Sequence, residues 1–336
     1  PRSNAWSISG DYTDSGLPLV AGDSHRGLDT PSVYYQAHLA CPDFEIIGYS
    51  VPGMPGLLHF CHNTHVAWGM TYGNADTQDL FIEHFRESDG ELQYEFKGEW
   101  HPAETLQEKI HIRGADPVDL EVVITRHGPT IAGNPRSGQA VAISDPGLIQ
   151  GTPWPDSARD AMHARSVNDL HQAFAHWTDR VNNYAVADVD GHYGYLHEGK
   201  IPIRQSSNGW RAVPGWTGEH EWTGDVPFEQ LPQSINPRQG FIATSNQQII
   251  DADEPYLAYE WATAGRANRV IESLEGKAKL SPEAIADLQG DTTSVRARGW
   301  ARYLASRPTM TGNAERARAL LAGWDGNLLP DSAEAL

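Results

Sequence analysis

The feature that most limits the folds open to this chain is a succession of short strand-like runs through its first half. Trp6 to Ser9, Leu17 to Ala21, Val33 to Ala40, Phe44 to Tyr49, Val66 to Tyr72, Leu80 to Phe85, Leu92 to Phe96, Leu106 to Ile112 and Leu120 to Thr125 each carry β-branched or aromatic residues or alternation, and Gly, Pro, Asp or Asn clusters bound them. The pattern then changes. Ser166-Val167-Asn168-Asp169 reads as a capping box ahead of Val167, Leu170, Phe174 and Trp177 at helical spacing. Asn183 to Val189 and His192 to His197 form a hairpin around Asp190-Gly191, for which Asp-Gly predicts a type I′ turn.

Beyond residue 260 the periodicity is helical: Arg266 to Leu274, Pro282 to Leu288 after a Ser281 cap, Ser294 to Leu304, and Ala314 to Ala322 after Asn313. Strands first and helices later predict an α+β protein. Residues 3–150 are strand-rich, 151–260 mixed and 261–336 helical, with no internal repeat and no firm boundary between them.

A length of 336 residues supports a sizeable core, and eleven tryptophans supply apolar area to bury in it. The formal net charge of −19 argues against a nucleic-acid partner, which needs a basic surface. No apolar run reaches the roughly 18–20 residues of a membrane helix. No signal peptide opens the chain, and a leader removed on maturation would leave no trace. Cys41 and Cys61 each sit in an apolar strand-like run, where a buried free thiol is commoner than a bridge.

Ser3-Asn4-Ala5-Trp6 carries the first chemical signal. A serine at a mature N-terminus has its own base, because a free α-amine titrates at about pH 7.7–8.0 and can take the hydroxyl proton. By itself the tetrapeptide occurs often by chance and reads first as an ordinary capped turn leading into a strand. It has company: Leu17-Pro18-Leu19-Val20-Ala21-Gly22-Asp23-Ser24-His25, His62-Asn63 before Val66-Ala67-Trp68-Gly69, Asp76-Thr77-Gln78-Asp79, Gly199 to Arg204, Val213-Pro214-Gly215, Gly240 to Asn246, and Trp324-Asp325-Gly326. In this order, over essentially the whole chain, the series resembles the β-subunit of the penicillin acylase family of N-terminal-nucleophile amide hydrolases.

The resemblance implies a four-layer αββα sandwich and hydrolysis of the linear amide of a small or medium N-acyl compound, such as a penicillin, an N-acyl-homoserine lactone or another N-acyl amine. It implies Ser3 as nucleophile, the Asn246 side chain and the Tyr72 backbone N–H as oxyanion donors, His25 near the nucleophile's amine, and Arg269 supporting Asn246. No cofactor is implied for the chemistry. A structural Ca²⁺ is implied at the Asp76 and Asp79 carboxylates and the Gln78 carbonyl, which supply part of the six or more oxygens such an ion takes. The implied partner is an α-subunit cut from the same precursor, and the implied location is periplasmic or secreted.

A competing chemistry lies in His59-Phe60-Cys61-His62-Asn63-Thr64-His65, a cluster that could serve a zinc-dependent hydrolase if three or four of its N/S ligands converged. On a strand, His59 and Cys61 would face one side and His62 the other. Two departures from the family also bear on function. Pro1-Arg2 precede Ser3, whereas family β-subunits begin at the serine once autoproteolysis removes a spacer, and a chain still joined to Pro1 has no free amine at Ser3. Ser332 to Leu336 reads as a helix interrupted midway, so the chain is expected to be a fragment, one piece of a processed precursor, or a truncated, non-catalytic relative.

Overall fold

The computed structural model describes residues 2–251, 255–277, 279–309 and 311–335; Pro1, on which the state of the Ser3 amine turns, and Leu336 lie outside them. The first half is almost wholly strand: β1 (Arg2–Ile8), β2 (Leu19–His25), β3 (Tyr35–Ala40), β4 (Glu45–Ser50), β5 (His59–Asn63), β6 (Val66–Tyr72), β7 (Asp79–Ser88), β8 (Glu91–Phe96), β9 (Glu99–Pro102), β10 (Glu104–Ile110), β11 (Val118–Thr125), β12 (Gly128–Asn134) and β13 (Gln139–Ser144). Helices α1 (Pro146–Gln150), α2 (Trp154–His163) and α3 (Val167–Ala173) come next. The chain returns to strand in β14 (Asn182–Asp188), β15 (Tyr193–Glu198), β16 (Pro202–Ile203), β17 (Val213–Pro214), β18 (Gly224–Asp225), β19 (Gln233–Ile235) and β20 (Phe241–Thr244). It ends in α4 (Gly265–Leu274), α5 (Pro282–Gln289), α6 (Val295–Ala305) and α7 (Gly312–Leu321).

Two of the sheets stack face to face between helices, as the αββα expectation requires. The larger runs β19-β15-β14-β6-β5-β4-β3, and the smaller β2-β1-β20. Alternation along β1 sets the layers. Trp6 and Ile8 point outward into a core shared with Val270 and Leu274 of α4 and Ile285 of α5. Ala5 and Ser7 lie on the other face, and the Ser7 hydroxyl donates to the Gly194 carbonyl of the larger sheet at 3.0 Å. That sheet's far side buries Trp68, Tyr184 and Leu196 against Ala158 and Ala161 of α2 and Leu170 of α3. A further eight-stranded sheet, β10-β11-β12-β13-β7-β8-β9 with β17 beside β7, carries its own core around Phe85, Tyr94 and Val123.

The stacked sheets approach closely because two glycines face each other between them. A Cβ on Gly69 of β6 would stand 3.1 Å from the Ala21 carbonyl of β2, and one on Gly22 would stand 2.2 Å from the Phe60 ring. Polar side chains fill the space beyond. Thr71 and Thr244 hydroxyls are 2.9 Å apart, and Asn183 Nδ2 donates to Thr71 Oγ1 at 3.1 Å and to the Tyr72 carbonyl at 3.3 Å. Asn183 Oδ1 accepts from Tyr195 Oη at 2.5 Å and from His197 Nδ1 at 2.6 Å. Burial holds His197 down to about 3, so its ring is neutral and donates from Nδ1.

Several local expectations change. The hairpin turn spans 189–192 and only Gly191 takes a positive φ, so it is not type I′; Asp188 Oδ1 instead accepts from the backbone of Asp190 and His192, which widens the loop. Helix α7 begins at Gly312 after Thr311, with no side-chain cap, rather than at Ala314 after Asn313. Strands β9, β12 and β13 and helix α2 form where no run stood out. In α2 the buried face is Ser157, Ala158 and Ala161, too small to register as an apolar stripe. The Ser166 cap of α3 and the Ser281 and Ser294 caps of α5 and α6 are present, each accepting a backbone N–H three residues on.

Asn183→Ala leaves Tyr195 and His197 without their shared acceptor inside the fold. We expect a loss of about 3 kcal/mol in urea unfolding. An unchanged midpoint would show that this polar seam contributes nothing to the stability of the fold.

Candidate active site

Ser3 lies near the start of β1, in register with Ser24 of β2, and lines a cavity of about 110 Å³. Its backbone nitrogen donates to Asn246 Oδ1 at 2.9 Å. Asn246 follows β20 with φ of 66°, a left-handed conformation that asparagine adopts more readily than bulkier residues. Two backbone bonds hold it there: its carbonyl accepts from Asn74 Nδ2 at 2.7 Å and from the Ala262 N–H at 2.9 Å. Its Nδ2 donates one hydrogen to the Tyr72 carbonyl at 2.8 Å. An amide nitrogen has two hydrogens, and the second has no acceptor among the described residues. Ser3, Tyr72 and Asn246, far apart in sequence, thus meet at one point.

The guanidinium that fixes this junction is Arg266, not Arg269. From the first turn of α4, Arg266 Nη1 donates to the Ser3 carbonyl and to Asn4 Oδ1, both at 2.6 Å. Its Nη2 donates to the Ser245 carbonyl at 2.6 Å and to Asn246 Oδ1 at 3.0 Å. Arg269 sits three residues further along the helix and is drawn to Asp291 at 2.5 Å and Glu272 at 3.1 Å. Two arginines in Gly265-Arg266-Ala267-Asn268-Arg269 carry no sequence mark to separate them. Only the packing of α4 on β1 does so.

His25 does not touch Ser3 through its ring. Ser3 pairs with Ser24, whereas His25 pairs with Arg2, and alternation turns the imidazole to the opposite face of the sheet. There Nε2 lies 2.8 Å from Asp23 Oδ2 and 3.2 Å from Asn4 Nδ2. Asn4 in turn accepts from Arg266, so His25 belongs to the polar shell beneath the junction.

The zinc cluster does not assemble. Phe60 takes a φ of 47°, which breaks the strand alternation. His59 lines the Ser3 cavity with its ring 5.2 Å from that of Tyr34, Cys61 is buried in the core under α2 and α3, and His62 is exposed. Burial pushes the Cys61 thiol up to about 12, the opposite of what a thiolate ligand needs. Both cysteines are free, Cys41 exposed and Cys61 buried. Among the described residues, no three or more His, Cys, Asp or Glu side chains converge to hold a metal.

Asp76 and Asp79, at the crossing from β6 to β7, close on a guanidinium. Arg204 Nη2 lies 3.0 Å from Asp76 Oδ1, and Nε lies 2.6 Å from Asp79 Oδ2. Tyr256 Oη donates to Asp76 at 2.9 Å and Trp222 Nε1 to Asp79 at 2.6 Å. The Gln78 side chain turns aside to Asp145 at 3.0 Å. One oxygen, Asp79 Oδ1, is buried with no partner.

Burial, and after it the nearby Arg26, holds His59 down to about 4, against about 6.5 for a free imidazole. A histidine whose folded value is depressed stabilises the fold fully above the unfolded value, and that stability is lost as pH falls towards the folded one. Between about pH 6.5 and about 4, His59→Phe is therefore expected to lose less stability than the parent chain in urea titrations. Parallel curves would remove His59 as a source of acid sensitivity.

With this geometry the chain can be placed among known proteins. The family model described as penicillin amidase matches residues 1–336. The penicillin acylase 2 proenzyme of Pseudomonas sp. (strain SE83) is 36% identical over 329 residues, which cover 97% of this chain and 42% of that protein. The acyl-homoserine lactone acylase QuiP of Pseudomonas fluorescens (strain Pf0-1) is 30% identical over 352 residues, covering 99% and 43%. The chain thus spans less than half the length of these relatives. A thermostable penicillin G acylase from Alcaligenes faecalis superposes with a TM-score of 0.82 at 23% identity, over 96% of this chain and 59% of that one, which shows a shared fold. A family match along its whole length, together with that fold, makes this chain a member of the penicillin amidase family.

Proposed function

We propose that the chain carries the catalytic centre of an amide hydrolase that cleaves linear N-acyl amides through an acyl ester on Ser3. The observation that carries this reading is the junction at Ser3: its nitrogen on Asn246 Oδ1, Arg266 bracing both residues, and a cavity opening beside them. Removal of the residues before Ser3 would free its α-amine, which takes the hydroxyl proton through a water as Oγ attacks the amide carbonyl. The free N–H of Asn246 and the backbone N–H of Tyr72 receive the oxyanion. The C–N bond then breaks, the amine leaves with the proton, and water hydrolyses the ester to the acid. Arg266 and the Ser3 nitrogen both donate to Asn246 Oδ1, which polarises the side-chain amide and strengthens its N–H as a donor.

Penicillins, N-acyl-homoserine lactones and other N-acyl amines are the substrate candidates, the first two from the names of the relatives. An α-segment of the same precursor is the proposed partner, consistent with the partial span and with exposed Tyr35, Leu39 and Tyr49 at and beside the free β3 edge. No helix among the described residues is long and apolar enough to cross a membrane. We place the protein in the periplasm or outside the cell on the family resemblance alone; cell fractionation tests it. The reading includes calcium at the crossing from β6 to β7. The Asp76 and Asp79 carboxylates and the Gln78 carbonyl would hold it as a structural ion, and the partnerless Asp79 Oδ1 favours it, but Arg204 already lies between the two aspartates.

N-terminal sequencing and intact mass of protein expressed from the complete gene should give a chain beginning at Ser3 together with a separate upstream fragment. An inactive chain that keeps Pro1 would sink the proposal. Ser3→Ala should abolish hydrolysis of acyl amides, and Asn246→Ala should lower kcat by roughly 10²–10³-fold. Arg266→Ala is expected to cost about 10–100-fold, against little for Arg269→Ala; the reverse order would return the supporting role to Arg269. Loss of activity on chelation without any change in melting temperature would favour a metal-dependent reaction, and a melting temperature indifferent to EGTA would remove the calcium.

A further inference from the structure

His127 stands in the turn between β11 and β12 with a carboxylate on each ring nitrogen. Nδ1 lies 2.7 Å from Glu83 Oε1 of β7, and Nε2 lies 2.7 Å from Glu221 Oε1, in the stretch between β17 and β18. The ring is buried, and Phe81 stacks against it with centroids 3.9 Å apart. Glu83 is buried completely, and its Oε1 also accepts from Thr125 Oγ1 at 2.7 Å. The histidine is pinned from behind as well, because Ser144 Oγ donates to its backbone carbonyl at 2.7 Å.

The proton count decides what this arrangement needs. A neutral imidazole has one N–H and one lone pair, so it can donate to one carboxylate only while its lone pair faces the other. Two carboxylate contacts at 2.7 Å call for a hydrogen on each nitrogen. Burial pushes the ring towards neutrality, but its bonds to Glu221 and Glu83 and their charges outweigh burial and raise its pKa. Burial likewise raises the Glu221 carboxyl, yet His127 and Arg126 together hold it below the usual carboxylate range. Arg126 Nη2 lies 2.9 Å from Glu221, and its guanidinium shares the Phe96 ring with Lys97. Tyr94 on β8 lies within reach of the charges of Arg126, Glu83 and Glu221, and burial raises its phenol, which stays neutral. His101 on β9 stands beyond Phe96, their rings 6.2 Å apart.

We infer that His127 is a proton-operated latch: with a hydrogen on both ring nitrogens it closes the stretch 218–222 onto β7 and the β11–β12 turn, and loss of one proton to solvent releases Glu221. Without that proton a ring lone pair opposes the Glu221 carboxylate, and Arg126 holds Glu221 alone. The latched stretch reaches the crossing from β6 to β7. Asn208 Nδ2 donates to the His220 carbonyl at 2.8 Å and to Asp79 Oδ2 at 3.3 Å, and Trp222 Nε1 donates to the same Asp79 oxygen at 2.6 Å. A histidine whose folded pKa is raised stabilises the fold fully below its unfolded value, about 6.5, and that stability is lost as pH rises through the folded one. The latch is thus closed in acid and opens in alkali, and it stands apart from the Ser3 reading.

Glu221→Gln separates a latch from a static contact. A glutamine amide donates its N–H to a neutral ring and offers its oxygen to a protonated one, so closure no longer depends on the charge of His127. In protein expressed from the complete gene, the urea midpoint of the parent should fall along a one-proton curve above about pH 6.5, relative to a Glu221→Gln protein. His127→Gln should lose the same pH dependence and start from a lower midpoint. Parallel curves for the parent and Glu221→Gln overturn the inference. Spectra of protein with 15N-labelled histidine read the ring directly, with His127 assigned as the signal that moves in Glu221→Gln or in the charge-keeping Glu221→Asp. Both ring nitrogens of His127 should carry hydrogen at about pH 6.5, where half of free imidazoles have lost one. A His127 ring with a single N–H at that pH overturns the latch even if every variant folds poorly.

Discussion

One oxygen atom, Oδ1 of Asn246, is the point on which the rest of this structure depends. It accepts from the Ser3 nitrogen and from Arg266, and so joins the first strand, the segment after β20 and the first turn of α4. The first two lie side by side in one sheet, and α4 packs on that sheet as the helical layer. Charge-assisted hydrogen bonds in a partly buried setting are among the stronger local ties available to a protein. Desolvation, together with the neighbouring charge of Arg2, lowers the pKa of Arg266, yet four acceptors within 3.0 Å satisfy its guanidinium.

The two stacked sheets explain why this junction can be narrow. Gly22 and Gly69 let β2 and β6 approach, the Thr71–Thr244 hydroxyl pair bridges the two sheets, and Asn183, Tyr195 and His197 hold Thr71 in place from within the larger sheet. A seam of this kind is costly if any member loses its partner, which makes the spacing well defined. Because Asn183 also donates to the Tyr72 carbonyl, the seam and the site are continuous. Two amide side chains, those of Asn183 and Asn246, hold the Tyr72 carbonyl, as the oxyanion role proposed for its N–H would require, since such a donor acts by being in place before charge develops.

Charge is distributed unevenly over this acidic chain. Arg204 pairs with both Asp76 and Asp79 at the crossing between sheets, and Arg266 serves the Ser3 junction. Arg26 and Arg180 line the cavity without a carboxylate partner among the described residues. Two of the local chemistries therefore turn on which arginine faces which acceptor, a matter of a few ångströms in each case.

Much of the architecture was legible in the chain itself. Alternation located most of the strands, serine caps and helical spacing located α3, α5 and α6, and the ordered motifs pointed to Ser3, Tyr72 and Asn246, because turn chemistry, periodicity and motif order are local properties of a sequence. What remained hidden was relational. The choice of Arg266 over Arg269 follows from which side of α4 packs on β1, and the outward turn of His25 follows from a register of one residue between β1 and β2. The scattering of His59, Cys61 and His62 follows from a positive φ at Phe60, and the capture of Asp76 and Asp79 by Arg204 joins residues more than a hundred positions apart. The sequence by itself determined the layers, the strand content and the identity of the junction residues; the tertiary structure alone decided which cations stand beside them, since side-chain partners are set by distances that no local pattern encodes.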